Sequence, residues 1–144
     1  MTSNKFVGTW KLLSYQFRSN DGKVVEPLGG DAMGLLTYDN AGNAVGVIVK
    51  ADRKRFSSDD IGVATPDEAL AALQSSIAYF GRYDVDEKNG KVTHHVVGSV
   101  FPNWTGGDQP RFFSFSGAWL TLSTPPMIVA GASVTAVLEW ERIA

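Results

Sequence analysis

The segment Val134-Thr-Ala-Val-Leu-Glu-Trp-Glu-Arg142 decides the fold, because its apolar and polar residues alternate with a period of two. Successive residues of a β-strand face opposite sides of a sheet. One face of this segment comprises Val134, Ala136, Leu138, Trp140 and Arg142. The other face carries Glu139 and Glu141, whose carboxylates must meet water. The segment therefore predicts a half-buried strand in which Arg142 follows Trp140 on the inward row.

Seven further segments show strand patterns between turns rich in Gly, Asn and Asp. Together with the last strand at 134–142, the predicted strands are 6–18, 32–38, 43–50, 79–86, 91–101, 110–116 and 118–124. Segments 39–43 and 87–90 contain residues that tolerate positive φ, so they predict tight hairpins. The pattern predicts an all-β fold, a single antiparallel up-and-down β-barrel of about eight strands, whose interior holds side chains or one small ligand.

One segment interrupts the strand pattern. Thr65-Pro-Asp-Glu68 is typical of a helix start, with Thr65 as the N-cap and Glu68 placed to bond back. The predicted helix spans about 66–78, before the fourth strand. Its apolar stripe comprises Leu70, Leu73 and Ile77. We expect this stripe to lie over the barrel and close one end, and the charged loop 51–64 to form a mobile flap at the mouth.

The composition indicates a soluble globular protein, and we predict a single domain over residues 1–144. Of 144 residues, 44% are hydrophobic and 19% are charged, with a formal net charge of -2, which disfavours disorder and nucleic-acid binding. The chain has no cysteine, which excludes disulfides and fits a reducing compartment. No run approaches the roughly 20 apolar residues of a membrane span, and the first residues do not form a secretory signal. We therefore expect a cytoplasmic protein; the oligomeric state stays open.

Alternation places a few polar side chains on the inner face of the predicted barrel. Hairpin 79–101 directs Tyr79, Tyr83 and His94 inward, and the next strand directs Arg111 and Phe113 inward. Strand 43–50 contributes small inner residues that leave room. Space beside converging polar groups predicts a binding site for a small molecule. The predicted ligand contacts are Tyr38, Tyr79, Tyr83, His94, Trp104, Arg111 and Phe113.

The first strand is ambiguous, because Trp10 and Leu12 alternate with Tyr15 and Phe17 in a way that would bury both faces. A β-bulge within the strand would switch the buried face partway along it.

Several motifs carry a family resemblance. Gly8-Thr-Trp10 opens the first strand, and Trp140 and Arg142 end the last. The other motifs are Tyr79-Phe-Gly-Arg-Tyr83, Thr93-His-His-Val96, Phe101-Pro-Asn-Trp104 and Leu120-Thr-Leu-Ser-Thr-Pro125. Together they resemble the bacterial and fungal lipocalin-like domain family over nearly the whole chain. In lipocalins a tryptophan at the position of Trp10 lies at the closed end of the barrel, with an arginine packed across it. The resemblance therefore implies a lipocalin-like barrel with structural roles for Trp10, Trp140 and Arg142. The helix inserted within 51–78 departs from secreted lipocalins, whose ligands are therefore not implied.

The chain has two histidines, His94 and His95, which are adjacent and so face opposite sides of the sheet. They cannot both bind one metal ion in regular strand geometry, and we predict neither a metal nor a cofactor. His94 either hydrogen-bonds a neighbouring tyrosine in the core, or orients a ligand carbonyl or transfers a proton. In the last case His94 and Tyr83 are the candidate catalytic residues, although no inward carboxylate is available to orient His94 as in a hydrolytic triad.

Two further residues allow a functional and a structural interpretation. Arg111 either pairs with a carboxylate or phenolate ligand inside the barrel, or lies at its rim, exposed or stacked on a tyrosine. Trp104 either covers a ligand together with Tyr38 or closes the core.

Three functions remain open on these observations. The first is non-covalent binding of a small hydrophobic or aromatic molecule, neutral or anionic, with a polar handle. The second is an isomerase, cyclase or dehydratase that acts on a polyketide-like molecule, because one proton-transferring side chain in a dry cavity suffices for such reactions. The third is a packed barrel whose outer face binds a protein partner.

Overall fold

The alternating segments form the strands of one antiparallel sheet. The structure is a computed structural model that describes residues 4–144, so residues 1–3 of the domain predicted over 1–144 lie outside the described residues. The strands are β1 (Gly8–Ser19), β2 (Val24–Val25), β3 (Met33–Tyr38), β4 (Asn43–Val49), β5 (Ser76–Asp86), β6 (Lys91–Ser99), β7 (Asp108–Ser116), β8 (Trp119–Ser123), β9 (Met127–Val129) and β10 (Ala132–Arg142). Helix α1 (Pro66–Gln74) lies between β4 and β5, and a 3-10 turn spans Pro102–Trp104.

Pairing of the last strand with the first closes the sheet. The strand order is β1-β3-β4-β5-β6-β7-β8-β10, and β10 pairs with β1 from Trp10↔Arg142 to Ser19↔Val134. These eight strands form a closed antiparallel barrel, which confirms the predicted fold class and the helix before the fourth barrel strand. The short strands β2 and β9 pair with β1 and β10, respectively. They were not predicted, because segments of two or three residues are too short to show alternation.

A β-bulge in β1 resolves the ambiguity of the first strand. The register between β1 and β10 shifts between Leu12 and Ser14. The buried row therefore passes from Trp10 and Leu12 to Tyr15, and Phe17 packs against the same core. One extra residue on one strand thus brings the Tyr15 ring inside the barrel.

The barrel is closed at one end around Trp10, which is fully buried. Its Nε1 donates a hydrogen bond to the carbonyl oxygen of Phe6 at 2.9 Å. The Arg142 guanidinium lies 4.3 Å from the centre of the Trp10 ring and donates to the carbonyl oxygens of Val7, at 2.6 Å, and Lys5. The guanidinium thus lies over a ring face and on two acceptors, in the arrangement that the resemblance leads us to expect.

The residues before β1 fill this closed end. The Phe6 ring contacts Tyr38, Phe113 and Phe115 edge-on, at centroid distances of 5.2, 4.9 and 4.9 Å. The Tyr83 hydroxyl donates to the carbonyl oxygen of Asp39 at 2.8 Å. The inner space near Phe6 is consequently occupied by side chains of the protein itself.

Helix α1 begins as predicted but does not close the barrel. Thr65 Oγ1 accepts from the Glu68 amide at 3.2 Å, and Glu68 Oε1 accepts from the Thr65 amide at 3.0 Å. The helix ends at Gln74 because Ser76 and the residues after it pair with β4, which places Ile77 in a strand. The expected apolar lid is therefore wrong, since Leu70 and Leu73 are 52% and 41% exposed and no helix residue is buried.

The loop 51–64 packs on this helix. Ser57 donates its amide hydrogen to Glu68 Oε2 at 2.7 Å, and Arg53 donates to the Ser75 hydroxyl at 2.9 Å. None of the loop residues lines the interior cavity, so the expected flap at its mouth is also wrong.

Gly81 permits a close approach between β5 and β6. The register of the two strands shifts between Phe80 and Gly81, and a Cβ atom at Gly81 would lie 1.9 Å from the carbonyl oxygen of His95. Only glycine fits this contact, and the irregularity leaves Tyr79 and Tyr83 both facing inward.

On the outer face, His95 joins three strands. Its Nε2 lies 2.6 Å from Asp84 Oδ2 on β5, and its Nδ1 lies 2.7 Å from Asp108 Oδ1 on β7. The hydrogen bonds to Asp108 and then Asp84 raise the pKa of His95 above its usual value.

We expect an NMR titration to show this raised pKa directly. The ring signals of His95 should change at higher pH than those of a free histidine, and Asp108→Asn should lower the midpoint. Asp21→Asn, in a distant exposed turn, serves as the control. A His95 midpoint that is the same in wild type and Asp108→Asn would contradict the three-strand arrangement. Because the folded pKa is raised, His95 stabilises the fold below its unfolded pKa and stops doing so as the pH rises through the folded value.

Candidate functional site

A cavity of about 420 Å³ lies inside the barrel. This volume falls within the range of roughly 300–1,000 Å³ that is typical of small-molecule sites. Its aliphatic wall includes Leu36, Ile48, Ile77, Leu122 and Leu138. Gly46 adds no side chain to the wall, so space remains where the sequence predicted it.

His94 lies in this wall between two tyrosines. It is 3% exposed, with Nε2 2.6 Å from Tyr38 Oη and Nδ1 2.6 Å from Tyr79 Oη. Burial, reinforced by the charge of Arg111, lowers the pKa of His94 to about 3. His94 is therefore a neutral imidazole at physiological pH, and the expected core hydrogen bond to a tyrosine is confirmed twice over.

Arg111 belongs to the cavity wall rather than to the outside of the barrel. It faces inward because its strand partner is Val92, which is fully buried. Its guanidinium donates to the carbonyl oxygen of Pro110 at 2.9 Å and to Gln109 Oε1 at 3.3 Å. No Asp or Glu is among the residues that line the cavity. The cavity thus contains a positive charge without a protein carboxylate to balance it.

Two aromatic residues in the wall were not predicted as ligand contacts. Tyr15 lines the cavity, and burial raises the pKa of its hydroxyl to about 12 although the charge of Arg111 acts in the opposite direction. Trp140, predicted to be structural, lines the cavity as well, and its buried Nε1 has no hydrogen-bond partner among the described residues. Tyr15 was not predicted because it follows the bulge in β1. Simple alternation no longer gives the side of the sheet that a residue faces once a bulge intervenes.

Trp104 also lines the cavity, at the end of the 3-10 turn. Its ring lies edge-on to Tyr79 at 6.1 Å and edge-on to Phe101 at 5.2 Å. Pro102 starts the turn and helps to set the backbone that directs the indole toward Tyr79. The wall therefore combines the Trp104 ring with the polar group of Tyr79.

Three predicted contacts lie away from the cavity wall. Tyr38 meets His94 but does not line the cavity, and Tyr83 and Phe113 pack around Phe6 at the closed end. The alternation correctly turned these side chains inward. It did not show that Phe6, which precedes β1, fills the interior at the closed end.

The segment 124–128 lines the cavity near the start of β10 and was also missed. Pro125 and Pro126 interrupt the strand pattern, and β9 is too short to show one. Thr124 is fixed by a hydrogen bond from the Ala136 amide at 2.9 Å.

Within residues 4–144, no cluster of three or more His, Asp or Glu side chains could hold a metal ion. The helices of this part of the chain are not long and apolar enough to cross a membrane.

Comparison with known proteins adds two findings. A family model described as a lipocalin-like domain matches residues 7–143. The chain is similar to the 4'-hydroxy-3'-methoxypropiophenone carrier protein ppsC of Aspergillus oryzae, with 31% identity over 86 residues, which cover 55% of this chain and 78% of that protein. No solved structure matches the chain significantly.

Proposed function

The chain belongs to the lipocalin-like domain family, and on that basis we propose that it binds a small aromatic or hydrophobic molecule non-covalently inside its barrel. The observation that carries this proposal is the cavity of about 420 Å³, in which an apolar wall meets Arg111 and Tyr79. A cavity of this kind excludes water around an apolar body and offers a few polar groups to orient it.

The aromatic character of the ligand rests on two observations. The aromatic rings of Tyr15, Tyr79, Trp104 and Trp140 line the cavity. A relative is named as the carrier of 4'-hydroxy-3'-methoxypropiophenone, which is an aryl ketone. We propose the same class of ligand here, with a polar oxygen near Arg111. Because the chain lacks cysteine, a reducing compartment such as the cytoplasm suits this role.

Calorimetric titration with 4'-hydroxy-3'-methoxypropiophenone tests the proposal. We expect Arg111→Gln to weaken binding about tenfold or more, because a hydrogen bond to a charged group contributes about 1.5–3 kcal/mol. Arg82→Gln is the matched control, since Arg82 lies outside and donates to Asn43 Oδ1 and the carbonyl oxygen of Ala41. Equal affinity in wild type and Arg111→Gln would remove Arg111 from the site, and lack of binding together with no retained small molecule in native mass spectrometry would refute the proposal.

The two other functions have less support. A histidine with a pKa near 3 is a weak proton acceptor at neutral pH, and Tyr83 lies outside the cavity wall, which disfavours an isomerase, cyclase or dehydratase that uses them. The interaction module presumed a fully packed barrel, whereas this barrel contains a cavity.

A further inference from the structure

The hydrogen-bond chain behind the cavity determines which polar hydrogens face a ligand. It starts at Tyr38, which is 1% exposed and whose hydroxyl has His94 Nε2 as its one hydrogen-bond partner among the described residues. A buried hydroxyl hydrogen without an acceptor is costly. Tyr38 therefore donates to Nε2, and Nε2 carries no hydrogen.

A neutral imidazole carries one hydrogen, which must then be on Nδ1 of His94. Nδ1 lies 2.6 Å from Tyr79 Oη, so His94 donates and Tyr79 accepts. The Tyr79 hydroxyl hydrogen points elsewhere, and Tyr79 lines the cavity. The chain of donors Tyr38, His94 and Tyr79 thus ends with an O–H that is free to bind a ligand.

The second donor beside this hydroxyl is Arg111. Burial raises the pKa of Tyr79, whereas the charge of Arg111 acts to lower it, and Arg111 also hydrogen-bonds the Tyr79 hydroxyl oxygen, so the guanidinium lies beside Tyr79. It carries donors only, and no lining residue is acidic. This corner of the cavity therefore favours a ligand atom that accepts hydrogen bonds.

We propose that the ligand is anchored by a neutral carbonyl oxygen, which accepts hydrogen bonds from the Tyr79 hydroxyl and the Arg111 guanidinium. This inference rests on the proposed binding function and specifies the chemical class of the ligand as an aryl ketone or a similar carbonyl compound. Tyr38 and His94 act as positioning residues, because they set the direction of the Tyr79 hydroxyl while their own polar atoms hydrogen-bond each other and Tyr79.

Burial at Tyr15 supports a neutral oxygen over a phenolate. There burial outweighs the attraction of Arg111, and the pKa of the hydroxyl rises to about 12. Burial against the same apolar wall would also disfavour the ionised form of a ligand phenol. A ketone oxygen needs no ionisation and avoids the cost of burying an anion.

The experiment compares propiophenone with propylbenzene, which has the same carbon chain but no carbonyl. Calorimetric affinities are measured for the wild type and for Tyr79→Phe, which keeps the ring and removes the donor. We expect the preference for the ketone to fall about tenfold in Tyr79→Phe, while the affinity for propylbenzene changes little. The infrared band of carbonyl-labelled propiophenone should shift to lower frequency on binding to wild type and shift less in Tyr79→Phe.

A second measurement tests the direction of the hydrogen bonds from Tyr38 through His94 to Tyr79 and needs no ligand. Nitrogen NMR of the wild-type protein should show hydrogen on Nδ1 of His94 and none on Nε2. Hydrogen on Nε2 would overturn the inference, because Tyr79 would then donate to Nδ1 and offer the cavity only an acceptor.

The outcomes separate this inference from the proposed function. If both probes bind with the same ratio of affinities in wild type and Tyr79→Phe, the barrel binds aromatic molecules but the carbonyl anchor is refuted. If benzoate binds more tightly than propiophenone and salt weakens it, the site selects an anion, and the neutral anchor is refuted. If neither propiophenone nor propylbenzene binds, the proposed function fails together with the inference.

Discussion

Replacing Trp10 with alanine is expected to lower the free energy of unfolding by about 3–5 kcal/mol, the usual cost of truncating a fully buried aromatic residue. Trp10 is 0% exposed, and its ring lies beneath the Arg142 guanidinium. Its loss would leave a void and also deprive the carbonyl oxygen of Phe6 of its donor. The closed end would also lose the contact between the Trp10 ring and Arg142 at the end of the last strand.

Chemical denaturation with urea measures this effect. Trp119→Ala is the matched control, since Trp119 is 55% exposed and its truncation should cost less than about 1 kcal/mol. Similar losses in the two variants would show that Trp10 does not have the structural role assigned to it.

Acidification from pH 6.5 to pH 4.5 is expected to destabilise the fold by roughly 1.4 kcal/mol per pH unit through His94 alone. Burial holds the pKa of His94 near 3 in the folded state, whereas an exposed histidine titrates near 6.5. Below pH 6.5, His94 therefore binds a proton in the unfolded chain but stays neutral in the folded protein. The stability is complete above pH 6.5 and falls as the pH approaches 3.

The other groups with shifted pKa values act mainly outside the upper part of this window. The pKa of His95 is raised in the folded protein, so His95 is largely protonated in both the folded and the unfolded chain once the pH falls below 6.5. Hydrogen bonds lower the pKa of Asp39, Glu68 and Asp86, so their contribution to stability is lost mainly below about pH 5. We expect His94→Gln to flatten the dependence of urea midpoints on pH between 6.5 and 4.5. Its amide can accept from Tyr38 and donate to Tyr79, which preserves the buried pairings. An equally steep dependence in that variant would assign the effect to other groups.

The sequence predicted those features that local alternation encodes. The row of β10 ending at Trp140 and Arg142 could be read two residues at a time, and this row faces the interior as expected. The capping box at Thr65 was equally legible, because both of its partners lie within four residues. His94 and Arg111 followed from the same counting and line the cavity.

The failures arose where distant parts of the chain compete for the same space. Phe6 packs with Tyr83 and Phe113 at the closed end, away from the cavity wall, and no local pattern in the sequence indicates that contact. The helix lost Ile77 because pairing with Ile48 on β4 outweighed its helical periodicity. Tyr15 was hidden by a one-residue bulge, whose location depends on the register with β10.

The packing at the closed end also brings the start of β1 next to the last residues that follow β10. The Thr9 amide donates to the carbonyl oxygen of Ala144 at 3.1 Å, and the Ile143 amide donates to the carbonyl oxygen of Thr9 at 2.9 Å. The cavity segment 124–128 lies near the opposite end of β10. Attachment to a surface through the closed end would therefore leave the cavity segment on the side that faces solution.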